Sequence, residues 1–297
     1  MNSLLSYPDR GHWGDSKWRG NCSGYVIKDL VEHFQPKLFV DVCEGSGTSR
    51  DVCTELGIDY VGLDLHKGQD FTKDFVRGFL PRPADVCFSH PPYGAMIRYN
   101  EVGHWQDPDL QKSDLSECNS ADEFLEFSQT MLLNQRLATR EGGHYATLIG
   151  DMRKAGSFHS FQADYIGMMP RNELVAVAIK TQHNCVSDRR QYRGNFVPIM
   201  HEYLIIWKRS AKTMLQVSID KAAELQTREA WTWRNLLRMA LIAKGGKASL
   251  QELYGLIERM PQASTRREAN NHWRAKIRQT LQKHFSRVDQ GVYALAA

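Results

Sequence analysis

The fold of this chain is decided by the stretch Leu38-Phe39-Val40-Asp41-Val42-Cys43-Glu44-Gly45-Ser46-Gly47-Thr48. Residues 38–42 form a run of strand length that is apolar except for Asp41, and Thr48 opens a segment with helical periodicity. Glycines between a strand and a helix let a ligand approach the backbone closely and leave the first helical N–H groups free to bind it. The stretch therefore predicts an α/β unit with a ligand pocket at the carboxyl end of its first buried strand.

Strand-like and helix-like segments alternate outward from this stretch, from about residue 24 to 208, which is typical of an α/β domain with a mostly parallel sheet. The predicted helices cover residues 25–34, 48–56 and 122–139, and the predicted strands cover 38–42, 60–64, 85–88, 145–149, 174–179 and 203–207. Gly142-Gly143 is expected to end the third helix. The segments 93–122 and 181–198 are long and irregular, as functional loops often are.

Asp64 ends the second predicted strand, 17 positions beyond Gly47. An acid at that point can accept hydrogen bonds from both hydroxyls of a ribose, which suits a nucleoside cofactor. The third glycine of a dinucleotide-binding pattern would fall at Arg50, which disfavours NAD. Asp41 and Glu44 are placed to hold a cationic amino acid moiety and would repel a pyrophosphate, which favours S-adenosylmethionine. The alternative for Asp41 is a structural acid satisfied by backbone amides.

A second informative run, Ser89-His90-Pro91-Pro92-Tyr93-Gly94, follows the strand at 85–88. Two successive prolines fix φ and remove two backbone donors, so they form a rigid platform with free carbonyls. A polar residue before this platform and an aromatic residue after it can hold a flat, amine-bearing ring by hydrogen bonds and stacking. The run predicts a site for an exocyclic amino group of a base.

These motifs resemble those of the DNA amino-methyltransferases, the N6-adenine and N4-cytosine family, over about residues 15–208. The resemblance implies a Rossmann-like class I methyltransferase fold with a seven-stranded, mostly parallel sheet, and S-adenosyl-L-methionine as cofactor. It assigns to the cofactor Asn21, Asp41, Glu44, Gly45, Gly47, Asp64 and Asp70. It assigns to catalysis His90, Pro91, Pro92 and Tyr93. Segment 18–24, which contains Asn21, takes the place of the motif that closes over the methionine end.

In this family the first residue of the catalytic motif and a proline carbonyl accept hydrogen bonds from the target amine, while the aromatic ring stacks on the extruded base. Here the first position is His90 instead of Asp, Asn or Ser. A neutral imidazole can accept one hydrogen bond and a protonated one cannot, so we expect activity to fall as His90 becomes protonated. The alternative is that Ser89 or Asp85 makes the polar contact. No partner lies at metal-ligand spacing from His90, so no metal is expected.

A second unit is predicted at residues 229–297, after a methyltransferase domain at 1–208 and a connector at 209–228. Helices are expected at 233–243, 250–260 and 267–284, followed by a hairpin around Asp289-Gln290-Gly291. A capping box, Ser249 with Glu252, starts the second helix. Three helices and a hairpin, with a basic third helix, outline a winged helix-turn-helix domain. The alternative is a small helical oligomerisation module.

Charge is unevenly spread along the chain. From Lys208 to the C-terminus there are 17 Lys and Arg against 7 Asp and Glu, a net of +10, whereas the preceding residues carry 21 and 27, a net of −6. A basic C-terminal third indicates a polyanionic partner, which the resemblance identifies as double-stranded DNA. The residues expected to contact it are Arg98, Arg189, Arg190, Arg193, Arg274, Lys276, Arg278 and Lys283.

The bulk composition is that of a globular protein, with 42% hydrophobic and 24% charged residues. The chain has no apolar run of 18 residues, no apolar signal region at its N-terminus and no C-x-x-C pair among its six cysteines, so we expect a cytoplasmic protein with reduced thiols. We predict an N6-adenine DNA methyltransferase of bacterial or phage origin with short or relaxed specificity, similar to the non-specific adenine enzymes of Mu-like prophages. The alternatives are methylation of N4-cytosine, RNA bases or protein glutamine, and a non-catalytic DNA-binding regulator. A monomer and a homodimer both remain open.

Overall fold

A seven-stranded sheet organises the first two thirds of the chain. The computed structural model describes residues 1–99, 113–154, 156–183, 196–211, 213, 233–260, 262–268 and 270–295. The strands up to residue 208 are β1 (Leu4–Ser6), β2 (Leu38–Asp41), β3 (Asp59–Gly62), β4 (Ala84–Ser89), β5 (Thr139–Ile149), β6 (Met152–Lys154), β7 (Ser157–His159), β8 (Leu174–Thr181) and β9 (His201–Lys208). The sheet order is β1-β8-β9-β5-β4-β2-β3, while β6 and β7 form a separate hairpin. Strand β9 is antiparallel to both neighbours and the other pairs are parallel, so the predicted sheet is confirmed.

Helices cover both faces of this sheet. They are α1 (Gly24–Phe34), α2 (Thr48–Glu55), α3 (Ala121–Ala138) and α4 (Phe161–Met168). Short 3₁₀ turns lie at Leu65–Lys67, Val76–Phe79, Gly94–Met96, Leu115–Glu117 and Arg171–Glu173. Because side chains alternate along a strand, β9 sends Leu204 and Ile206 into the core beneath α1, and Ile205 and Trp207 into the core beneath α3. The sheet is therefore buried on both sides, as parallel sheets require.

The long helix ends within one residue of its predicted end, but the predicted role of Gly142-Gly143 in ending it is wrong. Helix α3 ends at Ala138, and Thr139 already has extended dihedrals as the first residue of β5. Gly142 and Gly143 lie inside that strand, where their backbones exchange hydrogen bonds of 2.9 Å with Arg209. A Cβ at Gly143 would lie 2.9 Å from the carbonyl oxygen of Asp85, so the glycine allows two backbones to approach closely rather than ending a helix.

The C-terminal unit contains the predicted helices and hairpin, with one division that the sequence did not indicate. Its elements are α5 (Trp233–Ala243), β10 (Lys247–Ser249), α6 (Leu250–Arg259), α7 (Gln262–Glu268), α8 (Trp273–His284), β11 (Ser286–Asp289) and β12 (Val292–Ala294). The three strands form a small antiparallel sheet in the order β10-β12-β11. The single helix expected at 267–284 is two helices, because the Asn270 side chain accepts from the backbone N–H of His272 in a turn that interrupts helical pairing.

Helix α3 joins the two units. Its Leu137 is buried in the C-terminal core, while Met131 and Leu132 belong to the core under the sheet. Phe75 of the first unit packs against Gly246 of the C-terminal unit. A Cβ at Gly246 would lie only 2.6 Å from the nearest carbon of the Phe75 ring. Of the predicted connector, the structure describes residues 209–211 and 213, and Arg209 donates to the carbonyl of Leu137 at 3.1 Å. No helix in the described segments has the length and apolarity to cross a membrane.

Candidate active site

The glycine-rich turn has the geometry of a ligand cradle. Gly45 and Gly47 have φ values of +52° and +88°, in the left-handed region that favours glycine. The N–H of Gly45 donates to Oδ2 of Asp64 at 2.7 Å, which links the turn after β2 to the end of β3. Gly47 stands at the N-cap of α2, so the first turn of that helix faces the space above the strand ends.

Asp41 is a buried acid with partners from its own chain. Its Oδ1 accepts from the N–H of Cys43 at 2.9 Å and its Oδ2 from the hydroxyl of Ser49 at 2.5 Å. Burial raises the pKa of Asp41 to about 7, against the opposing effect of these two hydrogen bonds. The structural alternative for Asp41, an acid satisfied by backbone amides, matches one of these two contacts, since the other partner is a hydroxyl. Asp41 also lines the pocket described below.

Glu44 is likewise occupied by its own chain. Its carboxylate forms ion pairs with Lys67 and, at 3.7 Å, with Arg50, and it lies against Gly62 of β3, where a Cβ would come within 2.4 Å of it. The charge of Glu44 is therefore balanced inside the protein. Its direct role in holding a cationic ligand, expected from the sequence, stays a prediction.

One pocket collects nearly all of the residues assigned to the cofactor. It holds about 800 Å³ of empty space, part of which is open solvent at its mouth. The predicted residues that line it are Asn21, Asp41, Glu44, Gly45, Asp64 and Asp70. Gly47 stands behind them at the start of α2. The wall carries a fifth acid, Asp114.

Segment 18–24 forms one wall of the pocket, as its predicted position implied. Trp18, Gly20, Asn21 and Cys22 all line it, and the indole Nε1 of Trp18 lies 3.2 Å from where a Cβ of Gly45 would stand. Asn21 joins this segment to the glycine-rich turn because its Oδ1 accepts from the Thr48 hydroxyl at 2.6 Å. Asn21 and Cys22 also border a second cavity, lined further by Tyr7, Lys180 and Glu202.

The proline platform lies beside the same pocket. His90 and Pro92 line it directly, Pro91 is buried, and Tyr93 stands at the opposite end of the run. Burial lowers the pKa of His90 from 6.5 to about 4, although the carboxylate of Glu202 opposes this. His90 therefore remains neutral well below the ordinary histidine range. We therefore expect the loss of activity caused by protonation of His90 to occur at about pH 4.

Neither Ser89 nor Asp85, the two alternatives to His90, lines the pocket. Ser89 is fully buried, and its hydroxyl lies 2.8 Å from that of Thr147 and 3.1 Å from Oε1 of Gln135. Asp85 stands at the opposite end of β4, where it accepts from the backbone N–H of Leu38 at 2.9 Å and pairs with Arg140 at 2.5 Å. Neither side chain reaches the pocket, so His90 is the polar residue of the platform.

Tyr93 is held by contacts that the sequence did not indicate. Its ring takes the space beside Gly150, where a Cβ would lie 2.7 Å from a ring carbon. Its hydroxyl lies 2.8 Å from Nε2 of His90 and donates to Oε1 of Glu202 at 2.7 Å. Glu202 in turn pairs with Lys180 at 2.6 Å across the β8–β9 ladder. Nothing in the local sequence marks Glu202, which is 109 residues from Tyr93.

The residues assigned to DNA contact are scattered. Arg98 pairs with Glu117 at 3.3 Å beside the pocket, while Arg189, Arg190 and Arg193 lie outside the described residues. The four cations of α8 are all exposed but do not share one face. At about 100° per residue, Arg274 and Arg278 lie on one side of the helix, and Lys276 and Lys283 lie roughly opposite.

The sequence did not indicate an exposed aromatic cluster next to the proline platform. The guanidinium of Arg153 on β6 lies 5.3 Å from the ring centre of Phe158 on β7 and 5.0 Å from that of Phe196. Both rings are nearly half exposed, at 49% and 47%. The hairpin is anchored beside the platform, because Met152 is among the nearest neighbours of Gly94. A cation between two exposed rings is a surface on which flat groups can stack.

No protein-family model and no curated protein matches the chain. Similar solved structures include TehB from Haemophilus influenzae, with 12% identity and a TM-score of 0.35 over 63% of this chain and 62% of that one. A SAM-dependent methyltransferase from Archaeoglobus fulgidus has 11% identity and a TM-score of 0.35 over 63% and 95%. A proposed DNA modification methylase from Thermus thermophilus, complexed with S-adenosyl-L-methionine, has 15% identity and a TM-score of 0.31 over 57% and 72%. The expected cofactor is thus named for two of these proteins.

Proposed function

We propose that this chain is an S-adenosylmethionine-dependent methyltransferase that modifies the exocyclic N6 amine of adenine in DNA. One observation carries the proposal: His90 and Pro92 of the rigid platform line the same pocket as Asp64 and Gly45. An amine held by the platform would therefore lie at the inner end of the cofactor pocket. Holding two reactants in this relation supplies much of the rate of a transfer that needs no covalent enzyme intermediate.

The acidic wall of the pocket supports the cofactor. When bound, S-adenosylmethionine supplies a methyl group on a positively charged sulfur. Carboxylates favour a cationic ligand and disfavour a pyrophosphate. Five acids line this pocket, but Glu44 is balanced by Lys67 and Arg50, and Asp70 pairs with Lys73, so the charge that a ligand would meet comes from the remaining acids. Asp64 would accept hydrogen bonds from the ribose hydroxyls of the cofactor, and Asp70 with Phe71 would contact the adenine of the cofactor. Trp18 would close the open side over Gly45.

The platform supports an amine as the acceptor. Neutral His90 and the carbonyl of Pro91 would accept the two N–H groups of the target, which turns the nitrogen lone pair toward the cofactor pocket. The proton that the nitrogen loses after gaining the methyl group can pass to His90 or to solvent. The second cavity, which adjoins the pocket at Asn21 and Cys22, offers space for an extruded base.

Two surfaces support duplex DNA as the partner. Phe158, Phe196 and Arg153 offer stacking and charge beside the platform. Arg274 and Arg278, which are exposed on one side of α8, suit phosphates. The described residues do not include a large recognition domain, so we propose short or relaxed sequence specificity. Genome-wide mapping that returned one strict site of six or more base pairs would contradict that part of the proposal.

The decisive experiment identifies the methylated nucleoside. Unmethylated duplex DNA is incubated with the protein and S-adenosylmethionine, digested to nucleosides and analysed by mass spectrometry, with single-stranded RNA in parallel. We expect N6-methyladenine from DNA. N4-methylcytosine, or a product from RNA alone, would redirect the substrate. Binding of S-adenosylmethionine without any product would favour a non-catalytic regulator.

A further inference from the structure

Four side chains form a continuous hydrogen-bonded row that leads away from the platform. The row runs from Nε2 of His90 to the hydroxyl of Tyr93 at 2.8 Å, then to Oε1 of Glu202 at 2.7 Å, and from Oε2 of Glu202 to Nζ of Lys180 at 2.6 Å. Glu202 is only 7% exposed, although it borders the second cavity. Hydrogen bonds in such a closed row must agree in direction, because each hydroxyl has one hydrogen to give.

The charge state of Glu202 fixes the direction at one end. Burial alone would raise its pKa, but the ammonium of Lys180 and the contacts around it hold the pKa below its ordinary value. Glu202 is therefore a carboxylate, which can only accept. Lys180 satisfies one oxygen, and the hydroxyl of Tyr93 must donate to the other.

The hydrogen bond between Tyr93 and Glu202 also decides which group donates between His90 and Tyr93. Burial raises the pKa of Tyr93 well above its ordinary value, so the phenol keeps its hydrogen, and that hydrogen points to Glu202. The phenol oxygen can only accept from His90. A neutral imidazole that donates through Nε2 carries no hydrogen on Nδ1, because only one of its two nitrogens is protonated.

We propose that Glu202, oriented by Lys180, is a positioning residue that fixes His90 in the Nε2–H tautomer and so keeps Nδ1 as the acceptor for the target amine. This inference rests on the proposed function for the identity of that amine, but the tautomer itself is a property of the free protein. The fixed tautomer also accounts for a histidine at the first position of the platform. Asp and Asn carry an acceptor oxygen in their own side chains, whereas His90 presents an acceptor at Nδ1 only when its hydrogen is held on Nε2.

The substitution Glu202→Gln, which is nearly isosteric, tests the proposal because it should reverse the direction of the hydrogen bonds in the row. Lys180 would bind the amide oxygen, which turns the amide N–H groups toward Tyr93. The phenol must then donate to Nε2 of His90, and the ring proton moves to Nδ1. Long-range proton–nitrogen NMR of histidine-labelled protein distinguishes the two tautomers, and the His90 signals are those missing in His90→Asn. We expect Nε2–H in the wild type, Nδ1–H in the variant, and kcat at least tenfold lower with the KM for S-adenosylmethionine within twofold.

Glu173→Gln is the matched control. Glu173 is also buried, also accepts from a phenol, that of Tyr145 at 2.6 Å, and also pairs with a cation, Arg136. It has no histidine in its row, so this variant should lose stability without changing the His90 tautomer. If Glu202→Gln does not fold, Tyr93→Phe removes the middle of the row and should allow Nδ1–H to become populated.

The outcomes separate this proposal from the proposed function. A wild-type His90 that already carries its proton on Nδ1, or a tautomer that neither variant changes, would overturn the positioning role even if DNA is methylated. A tautomer that follows Glu202 in a protein that methylates no nucleic acid would instead overturn the proposed substrate and leave the positioning role intact.

Discussion

The two sides of the proline platform are built in different ways. The cofactor side comes from consecutive turns of one sheet edge, with Gly45 bound to Asp64 and Asp41 bound to Ser49 over separations of 19 and 8 residues. The acceptor side depends on Tyr93 and Glu202, which are 109 residues apart and come from the loop after β4 and from β9. One side is a local motif, and the other exists only after the sheet has closed around β9.

This difference teaches that the cofactor side should tolerate changes elsewhere in the chain, whereas the acceptor side should be sensitive to distant ones. The contacts made by Glu202 join elements that meet only in the folded sheet: Glu202 binds Tyr93 of the loop after β4, and it pairs with Lys180 across β8 and β9. Substitutions on the two sides should therefore separate binding of the cofactor from transfer of the methyl group.

The largest effect is expected for His90→Ala, which removes the proposed acceptor for the target amine. By analogy with the loss of one polar contact made in a transition state, kcat should fall by about 100- to 1,000-fold. The affinity for S-adenosylmethionine, measured by calorimetry, should change less than threefold. His144→Ala is the control, because burial also lowers the pKa of His144 to about 4 but its ring stacks on Phe34. Equal kcat values for the two variants would contradict the role of His90.

Asp64→Ala should produce the opposite pattern. It removes the acceptor for the ribose and the partner of the Gly45 N–H. Hydrogen bonds to a charged group are worth about 1.5–3 kcal/mol, which corresponds to a loss of about 10- to 100-fold in affinity for the cofactor. At saturating cofactor, kcat should be largely preserved. Asp59→Asn, at the other end of β3 in an exposed pair with Arg82, should leave both quantities unchanged.

Phe158→Ala tests the acceptor side at its surface. Stacking of a base on an aromatic ring is worth about 1–3 kcal/mol, so duplex DNA should bind about tenfold more weakly by fluorescence anisotropy. Phe79→Ala is the matched control, because Phe79 is also exposed, at 42%, and lies in the turn that precedes β4. The platform follows the other end of that strand. Cofactor affinity should be unchanged in both variants. A comparable loss of DNA affinity in Phe79→Ala would remove the special role of the hairpin.

The smallest effect concerns pH. The lowered pKa of His90 keeps the ring neutral until about pH 4, so kcat should change less than twofold between pH 8 and 5.5. With an unperturbed pKa near 6.5, most of the protein would be protonated at pH 5.5 and kcat would fall about tenfold. Rates measured at saturating DNA and cofactor distinguish the two, and a tenfold fall would show that His90 is more solvated than its surroundings indicate.

The same contrast explains what the sequence could predict. The strand, the glycine turn, Asp64 and the proline platform are local patterns, and the structure brings them together around one pocket. Glu202 and Lys180 carried no local signal, because their relation to Tyr93 depends on the β8–β9 register. The role of Gly142-Gly143 and the division between α7 and α8 were missed for another reason: the glycines allow a close contact between strands, and Asn270 forms a turn that helical periodicity does not reveal.

Helix α3 has a consequence for how the protein denatures. Its Gln135 donates to the carbonyls of Cys87 and Ala146, between β4 and β5, while Leu137, two positions later, is buried in the C-terminal core. One helix thus completes two hydrophobic cores, and neither can lose it without exposing apolar surface in the other. Unfolding by heat or urea should accordingly be a single cooperative transition. A fragment that ends near residue 208 should expose the apolar face of α3 around Leu137 and aggregate.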